Sequence, residues 1–313
     1  MLNLNFKNLA GLTAYFPDDK SCREYLELMR WNGKPICPHC GNDTAYKFQA
    51  GTYYKCKACQ KKFTVLIGTV FEDTKIGLRK WFIALYLFTS HKKGISSVQL
   101  AKDLGITQKS AWHLLHRIRF AFGSNEPEML SDEVEIDETY VGGKAKNMHA
   151  SVKEKKIIGR GASGKTAVLG LVERNGRVYA KPINNTDADT LLNVINERVK
   201  KGSQIYTDEF PAYRKLSENF SHDAIAHGLG IYVRGSVHTN TIEGYWGLLK
   251  RGIFGIYHQV SAKHLHRYCS EFGFRYNTRK CGEVARFDGI LLQCDGRLMY
   301  KTLINKQQQG IEQ

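Results

Sequence analysis

The chain has 313 residues, 42% of them hydrophobic, enough for one large domain with one or two small ones. Lys and Arg number 46 against 30 Asp and Glu, a formal charge of +16 that favours a polyanion, because each neutralised phosphate releases condensed counterions. The longest apolar stretch, Trp81 to Phe88, is far too short to span a bilayer, and no basic amphipathic helix carries a lipid-facing stripe, so DNA rather than a membrane is the expected partner.

The N-terminus (MLNLNFKNLAGLTAYF) lacks the charged start, apolar centre and small-residue cleavage site of a signal peptide. A cytoplasmic protein keeps its thiols reduced, so the eight cysteines read as metal ligands or buried hydrophobes rather than disulfides. Residues 1–30 read as a helical segment, with Tyr25, Leu26, Leu28 and Met29 ahead of Trp31.

Residues 31–70 carry Cys37-Pro38-His39-Cys40 and Cys56-Lys57-Ala58-Cys59, two C-x2-C turns separated by 15 residues. Each turn aims two thiolates at one point, and two turns complete a tetrahedral zinc site on a ribbon of short strands. Four protein ligands leave no open position, so this zinc is structural, and His39 is surplus to it. Tyr46-Lys47-Phe48 and Thr52-Tyr53-Tyr54-Lys55, parted by Gly51, predict a hairpin. Lys47, Lys55, Lys57, Lys61 and Lys62 stand against Asp43 alone, which suggests contact with phosphate.

Residues 75–123 read as helices and carry the punctuation of a helix-turn-helix. Val98, Ala101 and Leu104 share one face of a first helix, Gly105 permits the turn, and Ile106 plugs the gap between helices. Thr107 caps a second helix whose Ala111, Leu114, Leu115 and Ile118 face inward. Gln108, Lys109, Trp112 and His113 are left outward for bases or phosphates. The cluster Gly123-Ser124-Asn125-Glu126-Pro127 breaks the chain.

Residues 130–285 mix strands and helices as an α/β domain does. Glu133 to Val141 alternates like a strand. Residues 144–165 hold seven Lys or Arg and one acid among glycines, a DNA-facing loop. Gly159 to Thr166 matches the P-loop expression, but that mechanism needs a helix next, and Ala167 to Val172 reads as a strand leading to an Asn175-Gly176 hairpin turn. Nucleotide binding is therefore not expected. Asp187 to Val199 reads as an amphipathic helix, Gln204 to Asp208 as a short apolar strand ending in a carboxylate, and Pro211 as the opening of a further helix. Three antiparallel strands, a helix and another strand is the order of an RNase H-like mixed sheet flanked by helices, in which Asp137 and Asp208 lie on neighbouring central strands. Read singly, Asp137 is also compatible with a solvated strand position beside Glu135, and Asp208 with a turn before Pro211.

Ile136-Asp137-Glu138-Thr139-Tyr140-Val141-Gly142-Gly143, Tyr206-Thr207-Asp208-Glu209 and His238 to Gly252 resemble the DDE blocks of a family of bacterial insertion-sequence transposases that carry an N-terminal zinc ribbon. Tyr257 to Val260 and Arg275-Tyr276-Asn277-Thr278-Arg279 are similar to that family's C-terminal helix, so the resemblance runs over about residues 11–285. It implies a transposase that recognises element ends and performs metal-dependent DNA strand cleavage and strand transfer. The catalytic ligands of Mg2+ or Mn2+ would be Asp137, Asp208 and Glu243, with Asn240, one turn earlier, as the other candidate for the third. Lys250, seven residues beyond Glu243 on the same helical face, and Arg251 beside it are assigned to DNA. Lys263, His264, His266, Arg267, Arg275, Arg279 and Lys280 read as cations lining DNA or a solvated face, and residues 286–313 as a C-terminal extension. The expected assembly is a homo-oligomer on double-stranded DNA. A zinc-ribbon and helix-turn-helix regulator without catalysis would share everything up to residue 123, and an RNase H-like nuclease would cut without joining.

Overall fold

The computed structural model describes residues 6–48, 52–123, 128–143, 164–231 and 233–305. Two compact units emerge from its contacts, residues 1–125 with 280–313, and residues 126–279. The basic loop at 144–163, the breaker residues 124–127, most of the P-loop match and the tail from 306 lie outside the described residues. Thr166, the last residue of that match, opens a strand, which is the wrong element for a phosphate-binding loop.

The first unit is built on helix α3 (Leu78–Ser90), the apolar run already singled out. Its side chains are buried nearly all round, as a helix hydrophobic on every face requires. Helices α1 (Leu9–Tyr15) and α2 (Asp19–Trp31) pack on it. Asp18 and Ser21 start α2 by exchanging side-chain and backbone bonds, a capping box. The ribbon strands β1 (Ala45–Phe48), β2 (Tyr53–Cys56) and β3 (Lys62–Phe63) form one antiparallel sheet. Helices α4 (Ser97–Leu104) and α5 (Gln108–Gly123) complete the helix-turn-helix, with Gly105 left-handed at φ 58° and Thr107 Oγ1 accepting from Ser110 N at 3.2 Å. One face assignment needs correction: Val98 is exposed and Leu100 takes the inward place, because the face of α4 that packs on α5 and α3 is centred on Leu100, Ala101 and Leu104.

The second unit carries a five-stranded sheet in the order β6-β5-β4-β7-β8. Strands β4 (Glu133–Val141), β5 (Thr166–Glu173) and β6 (Val178–Ile183) run antiparallel, and β7 (Gln204–Asp208) and β8 (Ser221–Ile225) add in parallel to β4, the mixed sheet of an RNase H-like fold. Side chains alternate between two cores. Val134, Ile136, Leu169, Leu171 and Ile205 pack with helix α6 (Ala188–Arg198) and Tyr213 of the 3-10 helix Pro211–Glu218. Val141, Val168 and Val172 pack with helices α7 (Asn240–Gly252) and α8 (Ala262–Asn277). Strand β8 was not foreseen, since Ser221-His222-Asp223-Ala224-Ile225 has no apolar alternation. The outer strand β6 is clasped by Asn277, whose side-chain oxygen accepts from Val178 N at 2.8 Å and whose amide donates to Val178 O at 3.1 Å.

Past α8 the chain returns to the first unit. In helix α9 (Glu283–Leu292), Phe287 is fully buried with its ring 5.4 Å from that of Phe82 and 5.5 Å from that of Phe6. Tyr25 donates to Asp288 at 2.6 Å and Tyr86 to Glu283 at 2.7 Å. The last described helix, α10 (Tyr300–Ile304), buries Leu303, and Leu298 before it is buried as well, so this part of the C-terminal extension is anchored at those two residues while Met299 and Ile304 stay exposed. Phe287→Ala should lower the stability of this unit by about 3–5 kcal/mol, the cost of an unfilled aromatic cavity, read from urea denaturation.

Candidate functional site

Asp137 and Asp208 sit two positions beyond Glu135 and Tyr206, the last paired residues of the parallel strands β4 and β7. Since alternate residues share a face, the two aspartates lie on one face of the sheet, the one covered by α7 and α8. Asp208 closes its strand, and its Oδ1 also accepts from Phe210 N at 3.0 Å, so it starts the turn as well. Trp246 of α7 donates its indole N–H to Asp137 Oδ2 at 2.9 Å. Gly170, paired with Asp137 on β5, makes room for that ring: a Cβ there would fall 2.5 Å from Trp246 Cη2. Burial pushes the Asp137 carboxyl up to about 6 against the pull of the indole, and the charges of Asp208 and Glu243 add to the rise. Glu243, exposed in the first turn of α7, accepts from Thr239 Oγ1 at 3.4 Å. Asn240 opens the helix and is also exposed.

What sets α7 over the aspartates is Glu135, fully buried beneath the start of the helix. Its Oε2 accepts the N–H groups of Thr241 at 2.8 Å and Ile242 at 3.0 Å, and its Oε1 accepts Thr241 Oγ1 at 2.8 Å. Arg174 Nε donates to the same Oε1 at 2.8 Å, and His238 Nδ1 lies 3.2 Å from it. Thr239, the residue in the N-cap position, makes no side-chain capping bond, so a carboxylate from the sheet stands where a local cap would. Glu138 points to the opposite face, where Tyr213 donates to it; burial pushes it up to about 7, with Asp137 and Asp208 contributing. Glu135, Trp246 and Gly170 were missed from the sequence. The spacing of Trp246, three residues past Glu243 on the same helical face, is the one signal that pointed toward it.

The four cysteines converge as expected. Cys37 and Cys59 sulfurs lie 3.7 Å apart and those of Cys40 and Cys56 3.5 Å apart, with all four within 4.8 Å. Thiolates about 2.3 Å from one tetrahedral zinc would stand about 3.8 Å apart, so the donor set fits. N–H groups of the knuckle, that of Cys59 first, hold the Cys56 thiol down at about 7. Among the described residues this is the one group at that spacing; Asp137, Asp208 and Glu243 do not close to it.

The residues assigned to DNA are dispersed. Lys250 and Arg251 are exposed on the last turn of α7. On α5, Gln108 is exposed and donates to Ser97 at 2.8 Å. Lys109 Nζ lies 5.1 Å over the ring of Tyr300. His113 is half-buried with Tyr300 against its ring at 5.3 Å, so the outward position expected for it is covered by α10. Arg275 is buried in an ion pair with Glu271 at 2.7 Å, so it is not a free cation for DNA, whereas Arg279 is exposed and donates to Gly176 O at 3.0 Å, a neutral acceptor that leaves its charge in place.

Residues 129–277 match the ISXO2-like transposase domain, and residues 17–62 match the transposase zinc-ribbon domain. A protein of the transposable element ISH50 of Halobacterium salinarum is 30% identical over 285 residues, covering 86% of this chain and 95% of that one. The chain belongs to the ISXO2-like transposases. A transposase-like protein of Haemophilus influenzae is 31% identical over 102 residues, 32% of this chain and 81% of that one. Among solved structures, a chain of the simian T-cell lymphotropic virus intasome in complex with PP2A regulatory subunit B56 gamma aligns at 15% identity, TM-score 0.28, over 60% of this transposase and 66% of that chain. A chain of the Mos1 strand transfer complex aligns at 12% identity, TM-score 0.21, over 66% and 77% respectively.

Three outcomes follow for the transposase. Cys56→Ser should leave the purified protein without the about one zinc per chain that a four-cysteine site binds, measured by elemental analysis. Gly170→Ala should drive the Trp246 ring off Asp137, costing about 1–3 kcal/mol of stability by overpacking and most of the strand-cleavage activity. Trp246→Phe keeps the ring, loses a bond to a charged group of about 1.5–3 kcal/mol, and should lower cleavage with little change in DNA affinity.

Proposed function

We propose that this transposase cuts and joins DNA by phosphoryl transfer at a divalent-metal site formed by Asp137, Asp208 and Glu243. The observation that carries the reading is the placement of Asp137 and Asp208 on one face of adjacent parallel strands, with the helix of Glu243 tied to the same face through Trp246. The donor set is hard oxygen, suited to Mg2+ or Mn2+, and the burial that raises Asp137, with the charges of Asp208 and Glu243 adding to it, is a cost that a bound cation would offset. When bound, two such ions activate the attacking oxygen and stabilise the leaving one.

The chain's own residues supply the rest. Trp246 fixes the rotamer of Asp137, and Glu135 fixes the start of α7, so the helix that carries Glu243 is set over the strand of Asp137 before DNA arrives. Lys250, two turns along α7 from Glu243, and Arg251 are placed to hold a phosphate beside the site. Asn240 is the other side chain at the mouth able to offer an oxygen, a neutral and weaker one. Gln108 and Lys109 are the assigned DNA contacts of the helix-turn-helix, with His113 behind Tyr300. The ribbon and helix-turn-helix would recognise the element's terminal repeats in double-stranded DNA. Joining two ends requires both to be held, so we propose a homo-oligomer on DNA, working in the cytoplasm where reduced thiols keep the zinc site intact.

The test uses a supercoiled plasmid carrying the gene with its native flanks, Mg2+ or Mn2+, and the wild type beside Asp208→Asn, with new 3′ ends mapped. Metal-dependent breaks at the element boundaries that vanish in the variant are the expected result. Tight binding by zinc-loaded protein that leaves the DNA intact would instead identify a regulator, and scattered cuts without joining a nuclease.

A further inference from the structure

The outward face of the zinc ribbon combines exposed rings with cations in a way that the zinc site itself does not require. Strands β1 and β2 pair Tyr46 with Lys55 and Phe48 with Tyr53, which puts these four side chains on one face. Lys47 and Tyr54 lie on the other, where the Tyr54 ring packs 5.2 Å from that of Trp31 and its hydroxyl donates to Glu27 at 2.7 Å. That inner face accounts for the attachment of the ribbon to α2. Among the described residues the outer face is attached to nothing comparable: Tyr46 is 53% exposed, Phe48 46% and Tyr53 41%. Lys62 of β3 stands opposite Lys55 and extends the same face, and Lys57 Nζ lies 4.8 Å over the Tyr46 ring. The only acid between Trp31 and Phe63 is Asp43.

We propose that this face binds unpaired DNA strand, with bases lying on Tyr46, Phe48 and Tyr53 and phosphates beside Lys55, Lys57 and Lys62. A purely electrostatic contact with duplex needs lysines alone, and three large rings left in water on a three-stranded sheet would be an unexplained cost. A duplex keeps the faces of its bases stacked inside, so the rings would find nothing there to stack on. An opened strand offers one π-face per base, and rings interleaved with cations are the common solution for holding it. The spacing agrees: alternate residues on a strand are about 6.6 Å apart, roughly twice the 3.4 Å rise per base of a stacked strand, so bases on Tyr46 and Phe48 would be unstacked from each other. Within transposition, such a strand exists where the duplex is opened beside a cut.

The test measures binding without Mg2+ or Mn2+, so it is independent of the cleavage reading. Full-length zinc-loaded protein is titrated against labelled oligothymidylate and against a blunt duplex of equal length, by fluorescence anisotropy at several salt concentrations. Tyr46→Ala, Phe48→Ala and Tyr53→Ala should each weaken single-strand binding roughly tenfold with the salt slope unchanged, while duplex affinity stays nearly constant. Tyr53→Trp should restore it. Lys55→Ala with Lys62→Ala should instead lower the salt slope on single strand by about 1.4. Zinc content and circular dichroism check that the exposed substitutions leave the ribbon folded. Equal losses on single strand and duplex would overturn the proposal in favour of phosphate contact alone. Unchanged single-strand binding by the ring variants would overturn it too, leaving the face as a protein-docking surface.

Discussion

The geometry of the catalytic unit hangs on a buried charge. Glu135 brings a carboxylate to the interior of the sheet, and its solvent shell is replaced by two helix N–H groups, a hydroxyl and the Arg174 guanidinium. Breaking such a buried pair by removing one partner costs about 3–5 kcal/mol, far more than an exposed ion pair is worth. Arg174 widens the constraint. It donates to His238 O at 3.0 Å and lies 4.1 Å over the Tyr206 ring, so it ties the end of β5 to β7 and to the segment leading into α7. The helix that carries Glu243, Trp246 and Lys250 therefore has its first turn and its direction set from below, by the same strand that carries Asp137.

Charge placement along β4 then has a consistent logic. Glu135 is neutralised by fixed partners, Glu138 is turned to the other face toward Tyr213, and Asp137 is left between them, buried, with the Trp246 indole and the Glu138 N–H as donors and two negative neighbours. A carboxylate that is desolvated and under-compensated is poor as a structural element and well suited to a cation. Gly170 belongs to the same arrangement, since any larger residue opposite Asp137 would remove the space that Trp246 occupies.

In the other unit, the C-terminal helices serve both the core and the surface of the helix-turn-helix. The C-terminal helices α9 and α10 contribute Phe287 to the aromatic core and Tyr300 to the surface of α5. The second helix of the helix-turn-helix thus has part of its outer side already packed, and the groups left outward, Gln108 and Lys109 among them, are fewer than a helical wheel suggests.

Periodic and local features were legible from residues alone. The cysteine spacing determined the four-sulfur cluster, because two short turns on a ribbon admit little else. Apolar alternation marked β4, continuous apolar runs marked β5 and β7, the Asn175-Gly176 turn marked β6, and turn chemistry placed the second helix after Gly105 and Thr107. The order of those strands was enough to bring Asp137 and Asp208 together. Tertiary structure decided what depends on contacts between distant segments. Glu135 reads as one more alternating acid until α7 is laid over it, Gly170 as a weak strand residue until Trp246 fills its space, and Ser221 to Ile225 as a loop until β7 offers it an edge. His113 and Arg275 look like surface cations because helical phase assigns them a face but not what covers that face. Sequence periodicity specifies direction on an element; burial and partnership are set by which other element arrives there.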